Sequence, residues 1–204
     1  MIRTTPFFAA GFAALSLALA ASAWAQDTVR VRGTIERVDG NHLIVKSRDG
    51  TELKIALAEK ALIVAIVKAS LSDIKQGSFV GVTGMPQADG SQRAIEVHIF
   101  PESMRGTGEG HYPWDLRPNS TMTNANVEHM VTGVDGHTLS VKYKDGEKKL
   151  VVPPDATIVT YVPGDKSELK PGTKVFIAAA KKLPDGSLEA PRVNYGKDGL
   201  TPPM

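Results

Sequence analysis

The sequence predicts an all-β fold in which two small antiparallel β-barrels follow one another in tandem and a long connector joins them. Three observations support this prediction. A segment of about 70 residues occurs twice, Asp-Gly dipeptides stand at corresponding places in both copies, and apolar and polar residues alternate between these dipeptides. Repetition at a fixed spacing is the sequence signature of a duplicated unit.

The repeat is visible in three pairs of similar segments. In each pair the second segment begins 95 or 96 residues after the first, so the spacing between the two copies varies by only one residue. The pairs are VDGNHLIVKSRDG (38–50) with VDGHTLSVKYKDG (134–146), SDIKQGSFV (72–80) with SELKPGTKV (167–175), and ADGSQRAIEVH (88–98) with PDGSLEAPRVN (184–194). Because the matches span most of each half, we expect both halves to adopt one fold.

The Asp-Gly dipeptides mark tight turns, because they suit the positive φ angles of short hairpins. Three of them occur at corresponding positions in each half. They lie at 39–40, 49–50, 89–90, 135–136, 145–146 and 185–186. Three corresponding turns in each half predict short strands, not helices.

Between the turns, apolar residues recur at every second position, which is typical of a strand that is buried on one face. In the first half Val29, Val31 and Ile35 share a face, and in the second half Leu139 and Val141 do so. These segments are therefore predicted to be half-buried strands.

One segment, AEKALIVAIVKA at 58–69, fits either a buried helix or a strand. Its counterpart at 154–165 begins with Pro and is rich in Val, Ile and Thr, which disfavours a helix. Both copies are therefore predicted to be strand. A single helical turn is predicted after each, followed by a further strand at 78–85 in the first half.

Each half then contains five or six short strands, which must close on themselves to hide their edges. A small OB-like barrel is the favoured architecture, and a small open roll is the alternative. Because each unit is small, we expect the two to pack together. The predicted ranges are 26–100 for the first barrel, 101–126 for the connector, and 127–204 for the second barrel with a C-terminal tail.

Residues 1–25 have the features of a cleavable secretory signal peptide. Arg3 precedes a short apolar run, and Ala23 and Ala25 suit a cleavage site. An uncleaved anchor is the alternative, although the run is short for a membrane span. The chain has no Cys, which excludes disulfides and thiolate metal sites. We therefore expect a periplasmic protein whose mature chain has no membrane span.

The charge balance argues against a nucleic-acid partner. Without Arg3, the Lys and Arg residues exceed the 22 Asp and Glu residues by only one. A protein that binds nucleic acid would carry a strongly basic face. The expected partner is an unknown periplasmic protein or a small ligand.

Several segments are typical of one family: Gly33–Gly40, Leu43–Val45 and Lys75–Val82, together with HIFPESMRGTGEGH and NSTMTN. In these segments the chain resembles a bacterial family of exported, periplasmic proteins of unknown function with two tandem copies of a small OB-like β-barrel domain. The resemblance implies the fold and the compartment. It implies no catalytic residues.

Residues 101–126 have no counterpart in the other half and are predicted to be a connector without periodic structure. The connector contains Trp114 and Tyr112, whereas disordered linkers are poor in aromatic residues. We predict a loop with an aromatic plug, which is either a recognition surface or a structural clasp. The predicted binding residues are Met104, Arg105, His111, Tyr112, Trp114, Asp115 and Met122.

His and Met side chains around the connector suggest a metal site as an alternative. Imidazole and thioether groups suit copper in an oxidising compartment. The candidate ligands are His98, Met104, His111, Met122 and His129. Their spacing is irregular, and a His at a strand end is more often a surface residue than a ligand.

The sequence carries no catalytic signature. It lacks the GxSxG nucleophile motif, and Glu102 and Glu109 on a Gly-rich segment are too common a pattern to indicate a glycosidase pair. We therefore expect a non-enzymatic periplasmic binding or adaptor protein with its recognition surface at the connector and at the seam between the barrels. The alternative is a periplasmic copper-binding or copper-delivery protein, and a hydrolase ranks last.

Overall fold

The computed structural model describes residues 27–133 and 136–204, and the predicted signal peptide, 1–25, lies outside the described residues. Regular structure within these ranges consists of strands and single 3-10 turns, which confirms the predicted all-β class. The strands are β1 (Thr28–Asp39), β2 (His42–Ser47), β3 (Glu52–Lys68), β4 (Phe79–Pro86), β5 (Gln92–Ile99), β6 (Gly110–Pro113), β7 (Thr121–Gly133), β8 (Gly136–Tyr143), β9 (Gly146–Val152), β10 (Thr157–Pro163), β11 (Lys174–Lys182) and β12 (Leu188–Gly196). The 3-10 turns span Leu71–Asp73, Glu102–Met104, Lys166–Glu168 and Lys197–Gly199.

Five strands form a closed barrel. Their pairing runs β1–β2–β3–β12–β11 and returns to β1. Neighbouring strands are antiparallel, except that β3 and β12 run parallel. The inward-facing side chains pack into one apolar core, at the centre of which Ile35, Ile55 and Ile177 are fully buried.

A second set of five strands, named the second ring here, pairs in the order β7–β8–β9–β5–β4 and returns to β7. Its closing contact is short, because the parallel strands β5 and β9 pair only at Gln92–Arg93 and Leu150–Val151. The second ring has an apolar core of its own, which includes Val80, Val97 and Leu139.

Strand β10 joins the closed barrel to the second ring. It runs antiparallel to β3 on one side and parallel to β5 on the other. The short strand β6 pairs with β7. All twelve strands therefore belong to one continuous sheet.

Each set takes strands from both halves of the sequence. The closed barrel receives β11 and β12 from the second half, and the second ring receives β4 and β5 from the first. The reason lies in β3, which has 17 residues and is therefore roughly 55 Å long. It delivers the chain at Lys68 beside β10 and not back across the barrel. The predicted ranges 26–100 and 127–204 thus do not each enclose their own set of paired strands.

The predicted connector, 101–126, is not entirely a loop. Gly110–Pro113 forms β6, and the residues from Thr121 onward belong to β7. The expectation of a segment without periodic structure is wrong for these two parts. Strand β7 has 13 residues and begins at Thr121, inside the predicted connector. Its first residues offer an edge with which β6 pairs.

Local predictions agree with the structure at the ambiguous segment and at several of the Asp-Gly turns, although Gly146 does not have a positive φ angle and Asp135 lies outside the described residues. Residues 58–68 and Thr157–Pro163 are strand, and a 3-10 turn follows each. Gly50, Gly90 and Gly186 have φ angles of 89°, 83° and 83°, which are the left-handed values that an Asp-Gly turn requires.

Within residues 27–133 and 136–204, no helix has the length and apolar character needed to cross a bilayer.

Candidate functional site

Two outward faces meet where the closed barrel contacts the second ring. Alternate residues of β5 point into the second ring, which leaves Glu96 and His98 facing outward. Alternate residues of β12 point into the closed barrel, which leaves Arg192 and Asn194 facing outward. A cavity of about 180 Å³, named the seam cavity here, lies between these faces and is lined in part by His98, Arg192 and Asn194.

One wall of the seam cavity is a row of residues across three neighbouring strands. Gly81 on β4 pairs with His98 on β5 at one side and with Asn124 on β7 at the other. A Cβ at Gly81 would overlap the His98 ring and would lie 2.5 Å from Asn124 Oδ1. Only glycine therefore allows these two buried side chains to approach each other over the strand.

Glu96 holds the His98 ring in position. Its carboxylate is fully buried and accepts a hydrogen bond from Thr83 Oγ1 at 2.5 Å, while His98 Nδ1 lies 3.2 Å from Glu96 Oε2. A buried carboxylate is tolerated when such donors surround it. His98 Nδ1 therefore faces the Glu96 carboxylate, and Nε2 faces the space above Gly81.

Aromatic rings cover the His98 side of the seam cavity. Phe100 and Tyr161 stack with their centroids 5.5 Å apart. The His98 ring packs edge-on against both, at 4.8 and 5.8 Å. Burial and the nearby Glu96 carboxylate raise the pKa of the Tyr161 phenol. The Tyr161 hydroxyl is therefore neutral at physiological pH.

Trp114 follows β6 and forms the opposite wall. The Arg30 guanidinium lies 4.2 Å from its ring centroid, and Phe176 on β11 meets the ring edge-on at 6.5 Å. The Trp114 Nε1–H is buried and has no acceptor among the described residues. A buried donor without an acceptor costs about 1–3 kcal/mol, so an acceptor supplied by a ligand would be favourable here.

Asn124 fastens a Gly-rich loop over the cavity. Its Nδ2 donates to the carbonyl oxygens of Thr107 and Gly108, both at 3.1 Å, and to the Tyr112 hydroxyl at 3.2 Å. Burial raises the pKa of Tyr112. Asn124 Oδ1 is buried and has no donor within the described ranges. Two residues that line the seam cavity, Trp114 and Asn124, thus each carry one buried polar atom without a partner among the described residues.

Arg192 brings a positive charge to the seam cavity. Its Nε donates to Asn194 Oδ1 at 3.0 Å, and its Nη2 lies 3.3 Å from Met104 Sδ. The guanidinium carbon is 5.7 Å from the centre of the Tyr161 ring. Burial lowers the pKa of Arg192, which reflects the cost of removing this cation from water.

Four of the seven predicted binding residues line the seam cavity: Met104, Tyr112, Trp114 and Met122. The other three lie elsewhere. Arg105 bonds to Glu102 at 2.6 Å and to Gly77 O at 3.0 Å, so it anchors the loop. The hydrogen bonds and charge of Glu102 raise the pKa of Arg105.

His111 and Asp115 also do not line the seam cavity. The His111 Nδ1 lies 2.8 Å from Thr123 Oγ1, on the other face of the sheet, and burial with the charge of Lys148 lowers its pKa. Asp115 accepts from Arg32 Nη2 at 2.7 Å and lies 3.4 Å from Arg30. The Arg32 hydrogen bond and the two positive charges lower the pKa of Asp115.

The five candidate metal ligands do not converge. His98, Met104 and Met122 line the seam cavity, whereas His111 bonds to Thr123 and His129 is exposed on β7. In the part of the chain that the structure describes, no three His, Cys, Asp or Glu side chains come together as a cation site would require.

Sequence reasoning missed Glu96, Tyr161, Arg192 and Asn194. A signal was present in the repeat, since the match of 88–98 with 184–194 aligns Glu96 and His98 with Arg192 and Asn194. Each of the two equivalent strands thus carries a pair of polar residues at outward positions, which indicates that the outward faces of the two strands could contact each other.

Comparisons of the chain with protein-family models, with characterised proteins and with solved structures found no match.

Proposed function

We propose that this is a non-enzymatic binding protein of the periplasm that takes a small organic ligand into the seam cavity. The observation that carries the proposal is the pair of buried, unpaired polar atoms, Trp114 Nε1 and Asn124 Oδ1, on residues that line one cavity. Native proteins pair nearly all buried polar groups. Two exceptions on residues that line a single cavity support a small ligand that carries polar groups. The periplasmic location rests on residues 1–25.

The dimensions of the cavity limit the ligand. An apolar cavity of about 150 Å³ holds one benzene ring, and the seam cavity has about 180 Å³. The aromatic rings of Phe100, Trp114 and Tyr161 suit a flat, apolar body. The supported ligand is therefore a single six-membered ring, or a molecule of that size, with one or two polar substituents.

We also propose that the closed barrel and the second ring are OB-like barrels that have exchanged their last two strands. Each set joins three consecutive strands of one half to a hairpin of the other, with one parallel contact between the third and the last strand. Small barrels of this kind bind ligands along one face and its loops. Here the binding face lies between the two barrels.

Copper binding is the second candidate function. It is favoured by the presence of His98, Met104 and Met122 around one cavity, with Glu96 holding the imidazole as carboxylates do behind metal-binding histidines. The Arg192 guanidinium, 3.3 Å from Met104 Sδ, opposes it because a second cation would be repelled there. We therefore rank copper binding below the binding of an organic ligand.

The test of the small-ligand proposal is to close the cavity from its mouth. Ala178 on β11 lines the cavity and is exposed, so the Ala178→Trp substitution would fill the opening. Phenol, benzamide and benzoate are added in excess to the full chain. At least one should raise Tm by about 3 °C, and Ala178→Trp should remove that shift.

The matched control is Ala179→Trp, which places the same ring on the neighbouring exposed residue outside the cavity lining. Its response to the three compounds should equal that of the unmodified chain. The proposal fails if none of the compounds changes Tm, or if the two Trp variants respond alike.

A further inference from the structure

We propose that the ligand of the seam cavity is a small aromatic carboxylate whose anionic group pairs with Arg192. This inference rests on the proposed function, because it names the chemical class of the ligand for the same cavity. It adds a charge to the ligand and assigns Arg192 as the residue that recognises it.

The first step is the incomplete pairing of Arg192. A guanidinium has five N–H donors, and the protein acceptors of Arg192 are Asn194 Oδ1 and Met104 Sδ, both neutral. Within the described ranges, no Asp or Glu oxygen lies within 4.0 Å of Arg192. Several N–H groups of a half-buried cation are therefore available to a ligand.

The second step is the kind of group that these donors fit. The guanidinium is a flat fork that matches a carboxylate through two parallel hydrogen bonds. Glu96, the buried acid on the opposite face, is already occupied by Thr83 and His98. An anion that pairs with Arg192 would therefore be one that a ligand brings.

The third step is the shape of the remaining lining. Phe100 and Tyr161 stack beside the cavity, and the Trp114 ring closes it from the connector side. Such surfaces favour a flat ring over a puckered one, since flat rings pack face-to-face or edge-to-face at close range. A carboxylate attached to one aromatic ring meets the requirements of charge, size and shape.

The test compares benzoate with its neutral isostere benzamide and with cyclohexanecarboxylate, which has the charge but no aromatic ring. Calorimetric titrations use the full chain and its Arg192→Gln variant. Benzoate should bind the unmodified chain about tenfold more tightly than either comparison compound. Arg192→Gln should weaken benzoate about tenfold and leave benzamide unchanged.

Two further variants make the result interpretable. Arg48→Gln removes a positive charge at an exposed position outside the seam cavity and should leave benzoate binding as it was. Arg192→Lys keeps the charge but loses the fork, so it should bind benzoate with intermediate affinity. It also serves as the test variant if Arg192→Gln fails to fold by circular dichroism.

The outcomes separate the two proposals. If benzamide binds as tightly as benzoate and Ala178→Trp abolishes both, the cavity is a ligand site and the assignment of a carboxylate to Arg192 is wrong. If cyclohexanecarboxylate equals benzoate, the aromatic requirement is wrong. If none of the compounds binds, the proposed function itself fails. If benzoate binds the Arg192→Gln and Arg192→Lys variants as tightly as the unmodified chain, the role assigned to Arg192 is wrong.

Discussion

At the scale of single residues, Gly81 determines whether the row that forms one cavity wall can exist. The flanking residues on β5 and β7, His98 and Asn124, occupy the space where a Cβ would lie. Neither can withdraw easily, because Glu96 holds the His98 ring and the Gly-rich loop holds Asn124. A single methyl group at this position is therefore expected to disturb both sides of the wall.

We predict that Gly81→Ala lowers the free energy of unfolding by about 2 kcal/mol or more, the usual range for an overpacked interior. Urea unfolding at equilibrium measures it. Gly133→Ala is the matched control, because among the described residues its Cβ would meet only the Gly136 carbonyl oxygen, at an ordinary 3.5 Å. It should change stability by less than about 1 kcal/mol. Equal effects of the two substitutions would show that Gly81 has no special steric role.

At the scale of elements, the segment from β6 to β7 is held to the closed barrel through Asp115. Arg32 and Arg30 of β1 contact this carboxylate and also lie against the Trp114 ring, at 5.8 and 4.2 Å from its centroid. One acidic residue therefore brings two arginines together beneath the Trp114 wall of the seam cavity.

This contact predicts a specific pH dependence. The pKa of Asp115 is lowered in the folded state, chiefly by the Arg32 hydrogen bond. Its contribution to stability is therefore present above the ordinary Asp pKa of 3.8 and is lost as the pH falls through the folded value. Asp115→Asn should cost less than about 1 kcal/mol at neutral pH, since the pair is half-exposed. The cost should vanish in strong acid.

Urea unfolding at neutral pH and in strong acid measures this difference between the unmodified chain and Asp115→Asn. Asp155→Asn is the control, because Asp155 is 86% exposed and lies at the 4.0 Å limit from Arg93. It should show no such pH-dependent cost. A cost for Asp115→Asn that is the same at both pH values would contradict an electrostatic role.

The elements also show how much of this protein the sequence can predict. Strands and turns follow from local pattern, because an Asp-Gly dipeptide and two-residue alternation act on near neighbours, and Gly50 and Gly186 have the expected φ angles. The aromatic wall of the site was predictable because Tyr112 and Trp114 occur in a segment unique to one half. For Glu96 and Arg192 the repeat shows only that they occupy equivalent positions. A charged residue on an alternating strand is ordinarily read as facing solvent, so their place beside the seam cavity did not follow from the sequence.

At the scale of the whole molecule, the duplication makes strand pairing degenerate. The hairpin of β4 and β5 and the hairpin of β11 and β12 come from equivalent segments. Each is therefore suited to complete either set, and the repeat alone does not say which arrangement forms. In the structure the β11–β12 hairpin pairs with β1 and β3, and the β4–β5 hairpin pairs with β7 and β9. This pairing, which we propose to be an exchange, brings His98 and Arg192 to one cavity. The seam cavity is thus a product of the exchange as much as of its lining residues.

The exchange predicts that neither half is a folding unit. A fragment of residues 27–106 carries β1 to β5, and 107–204 carries the remaining strands, so each lacks the hairpin that closes its barrel or ring. Unpaired strand edges favour association over independent folding. Each fragment alone should show no cooperative thermal transition, and an equimolar mixture should recover one whose Tm rises with concentration, as linked folding and binding requires. Circular dichroism and sedimentation would measure this. If 27–106 alone melts cooperatively as a monomer, its β4–β5 hairpin closes on β1 to β3, and the exchange is not needed for folding.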